Sequence, residues 1–137
     1  SLTLSDEETQ AKIAQGKNVV VRLKVNHDGQ TSYHDLIRGD ITFKNAEIDD
    51  QILQKSDGFP TYHMAVVVDD QLMQVTHISR GEEWLSSTPK HVMLYKALGW
   101  PVPTYIHQPL LVNEQKQKLS KRHGDVSVED FVKKGYI

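Results

Sequence analysis

Three cationic side chains stand within five residues near the end of the chain, at Lys118, Lys121 and Arg122. They follow a predicted strand and belong to a polar, basic stretch. Lys side chains act as point-charge partners of polyphosphates, and such cations stabilise the charge that grows on a leaving pyrophosphate. The cluster is therefore a candidate site for phosphate binding in phosphoryl or adenylyl transfer, although a solvated basic turn has the same composition.

A second candidate site is the segment Ser79-Arg80-Gly81-Glu82-Glu83-Trp84, at the C-terminal end of another predicted strand. Ligands of α/β sheets bind outside the carboxyl ends of the strands, and a guanidinium group there can make a forked contact with a carboxylate. Arg80 is therefore a candidate carboxylate-binding residue. The alternative is a surface Arg–Glu pair with Trp84 in the core.

A third candidate is Tyr62 with His63, which follow the turn sequence Ser56-Asp57-Gly58-Phe59-Pro60 and Thr61. Both residues fall at the start of a predicted helix, where a hydroxyl group and an imidazole ring could line a pocket. For His63 the alternative is a hydrogen-bonded core histidine.

Metal-binding patterns are weak in this chain. The pair Asp69-Asp70 could hold a metal or act as acid and base, but a solvent-facing pair at a helix end is the simpler interpretation. The seven histidines lack the spacing of metal ligands, and His91 and His107 are too isolated to define a site. We therefore predict no protein-bound metal.

The composition limits the kinds of protein that this chain can be. It has 137 residues, a net charge of −2 and no cysteine. Disulfides and cysteine-ligated zinc are thereby excluded, and no apolar run approaches the roughly 20 residues of a membrane helix. Since no overall positive charge attracts nucleic acid, any RNA contact requires a local basic patch. The candidates for such a patch are Arg22, Lys24, Arg38 and Lys44.

Residues 1–54 are predicted to form a small β-rich α+β unit with one helix. Ser5 and Glu8 have the spacing of a capping box, which predicts a helix that ends near Gln15. A strand is predicted over residues 19–25, and a strand pair over residues 35–43 is broken at Gly39.

Residues 56–137 alternate between helix and strand patterns, which predicts an α/β fold with a parallel sheet. The stretch 61–73 is ambiguous, because consecutive valines favour a strand whereas Pro60 and the helical spacing of the apolar residues favour a helix; we predict the helix. The other predicted elements are strands at 74–78 and 104–112 and helices at 88–98 and 128–134. The turn-rich stretch 55–60 predicts a boundary between domains 1–54 and 55–137.

Many of these segments resemble bacterial and organellar glutamyl-tRNA synthetases. The similarity runs through residues 55–63, 67–70, 76–91, 109–113 and 118–125. Within it, Lys118-Leu119-Ser120-Lys121-Arg122 corresponds to the family's KMSKS loop. Residues 22–25 and 34–39 resemble the family's inserted acceptor-binding domain, so the resemblance extends over essentially the whole chain.

The resemblance implies a class I synthetase that joins glutamate to tRNA(Glu) through glutamyl-adenylate. Residues 1–54 would be the C-terminal part of the acceptor-binding (connective peptide) insertion, and residues 55–137 the second half of a Rossmann-like catalytic domain. The implied substrates are glutamate, tRNA(Glu) and ATP, which would bring Mg²⁺ with it. The resemblance further implies a monomer without a membrane partner, located in the cytoplasm or an organellar matrix.

The resemblance also assigns roles to individual residues. The catalytic residues would be Lys118 and Lys121, and the ATP-binding residues would be Leu110, Leu111, Lys121 and Arg122. The glutamate-binding residues would be Tyr62, Arg80, Glu83 and Trp84. The tRNA-contacting residues would be Arg22, Lys24, Arg38 and Lys44. A cation at Arg80 would favour glutamate over glutamine, because an amide does not supply the charge.

The chain departs from the family pattern in three ways. Val66 stands where members often carry an asparagine that contacts the amino acid, and Gln74 stands at a position that is often glycine. In addition, no His-x-Gly-His sequence, the family's other ATP-binding motif, occurs. Since adenylation needs both halves of the ATP site in place, we predict that this chain alone is inactive. Two alternatives remain open: a tRNA-modifying glutamyl-queuosine synthetase, and a tRNA- or partner-binding module without catalysis.

Overall fold

The computed structural model describes residues 4–112, 115–117 and 128–135. Its helices are α1 (Asp6–Ala14), α2 (Tyr62–Leu72), α3 (Thr88–Ala97) and α4 (Val128–Lys133). Its strands are β1 (Val21–Arg22), β2 (Gln30–Asp35), β3 (Gly39–Lys44), β4 (Ile52–Gln54), β5 (His77–Gly81) and β6 (Thr104–Gln108). Within the described part of the chain, no helix is long and apolar enough to cross a membrane.

Helix α1 begins with the predicted capping box. The Ser5 hydroxyl accepts a hydrogen bond from the Glu8 amide at 3.1 Å, and the Glu8 carboxylate accepts one from the Ser5 amide at 2.9 Å. Because α1 buries none of its residues, these bonds rather than core contacts stabilise its first turn.

The strand predicted at 19–25 is shorter in the structure. Strand β1 pairs antiparallel with β4, and its register shifts between its two residues. Further along, the amide of Val25 donates to the side chain of Asp50 at 2.9 Å instead of to a neighbouring strand. A side chain thus replaces the next ladder bond, and the regular pairing ends.

Strands β2 and β3 form an antiparallel hairpin, which confirms a pair of strands here, but the predicted break at Gly39 is wrong because Gly39 is the first residue of β3 and pairs with Asp35. The strand predicted to start at Asp35 is also wrong, because residues 36–38 form the turn. The Asp35 carboxylate accepts hydrogen bonds from the amides of Ile37 and Arg38, both at 3.0 Å, and these bonds bend the chain. Gly39 completes the turn with a φ of 74°, a conformation that a β-carbon disfavours.

The helix predicted over 61–73 is confirmed as α2, despite its three valines. Val67 is 1% exposed and belongs to one core cluster with Leu94 and Tyr95 of α3. Burying one such side chain contributes about 1.5–3 kcal/mol, whereas the weaker helix propensity of valine opposes the helix by only about 0.5 kcal/mol. Packing therefore decides the conformation of this stretch.

The order α2, β5, α3, β6, α4 reproduces the predicted alternation after residue 56. Two strand limits differ from prediction. Strand β5 begins at His77 because Gln74 takes a φ of 57° just after α2. Strand β6 ends at Gln108, since Pro109 has no amide hydrogen with which to continue the ladder.

The larger sheet has four strands in the order β3-β2-β6-β5. Strands β5 and β6 are parallel, and β2 also runs parallel to β6, with Asp35 opposite Tyr105. The predicted α/β class with parallel pairing is therefore confirmed. The domain division after residue 54 remains a prediction, and strands from both sides of it share this sheet.

Helix α3 joins the two clusters of buried side chains. It contributes Leu94 and Tyr95 to the first cluster and Val92 to the second. The other buried members are Leu23, Val25, Ile48 and Val67 in the first cluster and Tyr33 and Tyr105 in the second. The helix is therefore held on both sides, and polar residues along it have fixed positions.

Candidate functional site

Arg80 lies near the carboxyl end of β5, and its guanidinium group makes three hydrogen bonds. The Nε atom donates to His107 Nε2 at 3.1 Å, and Nη2 donates to Thr88 Oγ1 at 2.7 Å. The Nη1 atom lies 3.3 Å from His91 Nδ1. A guanidinium group has more N–H donors than these contacts use, so donors remain for a ligand.

The histidine partners of Arg80 are uncharged at neutral pH. Burial lowers the pKa of His91 to about 3, and the positive charge of Arg80 acts in the same direction. Burial likewise lowers the pKa of His107. Because arginine only donates hydrogen bonds, the imidazole nitrogens that face Arg80 are the unprotonated ones.

Arg80 therefore keeps its positive charge beside neutral partners. Burial lowers its pKa from 12.5, and an arginine remains protonated at neutral pH. None of the ion pairs between described residues involves Arg80. Asp70 attracts this charge without forming an ion pair with it. Since a partly buried charge that no carboxylate contacts directly is unfavourable, this position suits an anionic ligand.

Aromatic rings surround the guanidinium group. Its Cζ atom lies 5.7 Å from the centre of the Trp84 ring and 5.2 Å from that of Tyr105. The ring of Tyr62, at the start of α2, lies 4.9 Å from that of Trp84. Tyr105 is fully buried whereas Tyr62 is 52% exposed, so the group reaches solvent at Tyr62. The structure thus brings together three of the four residues predicted to bind glutamate.

The fourth of these residues, Glu83, lies against the backbone of Gly81. A β-carbon on Gly81 would overlap the Glu83 carboxylate. Glycine at this position therefore allows the Glu83 side chain to fold back over the end of β5, directly after Arg80 in the chain.

Glu82, which carried no prediction of its own, connects three segments. It forms an ion pair with Arg38 of the β2–β3 turn, and its Oε1 accepts a hydrogen bond from the Leu110 amide at 3.4 Å. Arg38 also donates to the carbonyl oxygen of His107 at 3.2 Å. A predicted tRNA-contacting residue and a predicted ATP-binding residue therefore meet at Glu82, beside the carboxyl ends of β5 and β6.

Two buried side chains extend the network from β6 to the hairpin. His107 Nδ1 lies 2.7 Å from Asp35 Oδ2, and both side chains are fully buried. The same oxygen accepts a hydrogen bond from the His107 amide at 2.9 Å, while Oδ1 accepts hydrogen bonds from the amides of Ile37 and Arg38 in the turn. Burial alone would raise the pKa of Asp35, but the bond from His107 and the three amide bonds hold it below its usual value. Asp35 is therefore a buried carboxylate with complete hydrogen bonding.

On the other side, the network continues into α2. His91 Nε2 lies 2.9 Å from His63 Nδ1, and burial lowers the pKa of His63 as well. The sequence contains one signal for this arrangement: Thr88 and His91 are three residues apart and so share a face of α3. The contact between Asp35 and His107 carries no such signal, because the two residues are 72 positions apart.

The remaining predicted site residues do not join this group. Leu111 is 74% exposed, and Arg22 donates to the carbonyl oxygen of Asp50 at 3.0 Å. Lys24 and Lys44 are exposed. The predicted residues Lys118, Lys121 and Arg122 lie outside the described residues.

A cavity of about 360 Å³ lies at the opposite end of the parallel strands, lined in part by Thr76, Tyr95 and Thr104. It contains none of the predicted site residues and no charged side chain. Because ligands of parallel sheets bind at the carboxyl ends of the strands, we place the candidate site at Arg80 instead.

The chain matches a known protein family in sequence. The family model for the catalytic domain of class I tRNA synthetases (E and Q) matches residues 1–136. The chain is 57% identical over 134 residues to the glutamate–tRNA ligase of Clostridioides difficile, which covers 98% of this chain and 27% of that protein. It is 53% identical over 131 residues to the glutamate–tRNA ligase of Alkaliphilus metalliredigens, with 96% and 27% covered.

A solved structure gives the same result for the fold. The glutamate tRNA ligase of Elizabethkingia meningosepticum, crystallised with its amino acid, superposes with a TM-score of 0.84 and 40% sequence identity. The match covers 98% of this chain and 26% of that one. The chain therefore spans about a quarter of the length of its relatives, and it belongs to the catalytic domain family of the class I tRNA synthetases for glutamate and glutamine.

Proposed function

We propose that this chain is part of a glutamate–tRNA ligase, in which it binds the glutamate side chain and one side of ATP. The observation that carries the proposal is the Arg80 guanidinium group, which is held by three neutral acceptors next to Tyr62 and Trp84. The identity of 57% to a glutamate–tRNA ligase supports the same function.

In this proposal Arg80 binds the side-chain carboxylate of glutamate. A hydrogen bond between charged groups contributes about 1.5–3 kcal/mol, roughly twice that of a neutral one. Glutamine presents an amide instead, so its binding leaves the positive charge of Arg80 without a counter-charge. The aromatic rings of Trp84 and Tyr105 exclude water and strengthen this discrimination.

The adenylation step would use the segment after β6. Leu110 and Leu111 would lie beside the adenine and contact it through their backbone groups. Lys118, Lys121 and Arg122 would bind the phosphates of ATP and stabilise the charge that develops on pyrophosphate. Mg²⁺ would enter with ATP.

The acceptor stem of tRNA(Glu) would lie on the basic residues of the first segment. Lys24 and Lys44 are exposed and suit phosphate contacts, whereas Arg22 and Arg38 already bond to carbonyl groups of the protein. We therefore expect the two lysines to contribute most of the salt dependence of tRNA binding.

The test is a charging assay with the full-length protein that contains this chain. Replacing Arg80 by Gln should raise the KM for glutamate about 10- to 150-fold, which corresponds to the loss of a charged hydrogen bond. The variant Lys96→Gln, which removes an exposed cation at the end of α3, should leave this KM unchanged. An Arg80→Gln enzyme with an unchanged KM for glutamate would contradict the proposal. In the same assay, the 137-residue chain alone is expected to charge no tRNA.

A further inference from the structure

The bond between Arg80 and His107 requires one particular tautomer of the histidine. Arg80 Nε donates, so His107 Nε2 must carry a lone pair. The single proton of the neutral ring is then on Nδ1, which faces Asp35 Oδ2 at 2.7 Å. Since a carboxylate only accepts hydrogen bonds, Asp35 selects the tautomer that Arg80 needs.

Asp35 can perform this role because the hairpin holds it rigidly. It accepts two amide bonds from its own turn and one from the backbone of β6, and it is fully buried. Its oxygens therefore have no freedom to rotate away from His107. Asp35 itself does not reach Arg80, because the imidazole ring stands between them.

A neutral imidazole differs from a carboxylate as a partner for a substrate-binding arginine. A carboxylate in direct contact with Arg80 would compete with the carboxylate of the substrate. In the Asp35–His107 pair, the carboxylate instead orients the imidazole ring, and the ring orients Arg80. The negative charge of Asp35 is then separated from Arg80 by the width of the imidazole ring. Arg80 is thus held in place and its charge remains available.

We propose that Asp35 and His107 are positioning residues for glutamate binding, with Asp35 setting the His107 tautomer that orients Arg80. This inference rests on the proposed function, because it assumes that Arg80 binds the substrate carboxylate. It also connects the β2–β3 hairpin to the amino-acid site, since Asp35 is the last residue of β2.

The first test is the variant Asp35→Asn in the full-length protein. An asparagine keeps the size of the side chain, and its oxygen is needed by the two amides of the turn. Its N–H group then faces His107 Nδ1, which favours a proton on His107 Nε2 and sets that proton against Arg80 Nε. In serine proteases, a matching Asp-to-Asn change preserves the geometry and acts through the wrong histidine tautomer. We expect the KM for glutamate to rise at least tenfold and the KM for ATP to stay within twofold.

A double-mutant cycle separates this role from general support of the fold. The variant His107→Leu removes the ring through which Asp35 acts on Arg80. Adding Asp35→Asn to His107→Leu should therefore change the KM for glutamate much less than it does in the unmodified protein. Independent, multiplicative effects of the two substitutions would overturn the inference, as would equal increases in the KM values for glutamate and ATP.

The tautomer itself can be observed by ¹⁵N NMR of histidine-labelled full-length protein, with the His107 signals assigned from the His107→Leu spectrum. We expect a protonated Nδ1 and an unprotonated Nε2, and a protonated Nε2 would overturn the inference even if Asp35→Asn does not fold. The two proposals can fail separately. If Arg80→Gln leaves the KM for glutamate unchanged, the proposed function fails; if Arg80→Gln raises it and a folded Asp35→Asn does not, only this inference fails.

Discussion

Two arginines near the carboxyl ends of β5 and β6 show how the partners of a residue determine its role. Arg38 is paired with Glu82 and bonds to a backbone carbonyl, so its charge is compensated within the protein. Arg80 bonds only to Thr88 and to neutral histidines among the described residues. Both side chains carry a guanidinium group, yet only the second arrangement leaves a charge for a ligand.

The aromatic neighbour of Arg80 gives a prediction at the residue scale. Replacing Trp84 by Leu should raise the KM for glutamate about two- to fivefold, because a cation–π contact of this kind contributes about 0.5–1 kcal/mol. Charging kinetics of the full-length protein measure the effect.

A matched control is Phe59→Leu, which removes another ring that faces a cation. Lys55 Nζ lies 5.6 Å from the centre of the Phe59 ring. Phe59 is 67% exposed to solvent and is distant from Arg80 in the sequence. This variant should leave the KM for glutamate unchanged. Equal changes in both variants would contradict a specific role for Trp84.

At the scale of elements, short-range patterns predicted the helices well and the strand limits poorly. The capping box at Ser5 and the turn at Pro60 depend on neighbouring residues, so α1 and α2 were predictable. The turn at residues 36–38 was not, because its apolar Leu36 and Ile37 look like strand residues. The side chain of Asp35 stabilises the turn against that preference, because it accepts hydrogen bonds from the amides of Ile37 and Arg38.

The conformation of Gly39 allows this hairpin turn to be tested. Because φ is 74° there, Gly39→Val should destabilise the hairpin by about 1–2 kcal/mol, whereas Gly39→Asn should cost less. Amide hydrogen exchange of β2 and β3 should become about 5- to 30-fold faster in the valine variant. Equal exchange in the two variants would show that the turn does not depend on the left-handed conformation.

At the scale of the whole molecule, the buried histidines make stability depend on pH. His91 has a pKa of about 3 in the folded state and 6.5 as a free side chain, and the pKa values of His63 and His107 are lowered in the same direction. Well above pH 6.5 these rings are neutral in both states and contribute no pH dependence. Below it, the unfolded chain binds protons that the folded chain does not, so stability falls as the pH decreases.

We therefore expect the free energy of unfolding to decrease between pH 6.5 and about 3, with His91 contributing up to about 1.4 kcal/mol per pH unit and His63 and His107 acting in the same direction. The raised pKa of Asp70, caused mainly by burial, acts in the opposite direction at the acid end. Urea unfolding at a series of pH values measures the slope. The variant His91→Gln should make the dependence of stability on pH less steep, whereas the variant His34→Gln, at an exposed position, should leave it unchanged. An unchanged slope in His91→Gln would contradict the contribution of His91 to the pH dependence.

The sequence alone determined the local chemistry and the order of the elements. It placed Arg80 at a strand end and Tyr62 at a helix start, and it predicted the alternation of helices and strands with parallel pairing, because each of these depends on residues a few positions apart. The tertiary structure decided the rest. It set Asp35 against His107 across 72 positions, and it placed β2 beside β6. Contacts between separate elements leave no periodic signal in the chain, so only the packed structure shows that buried histidines hold Arg80 in place.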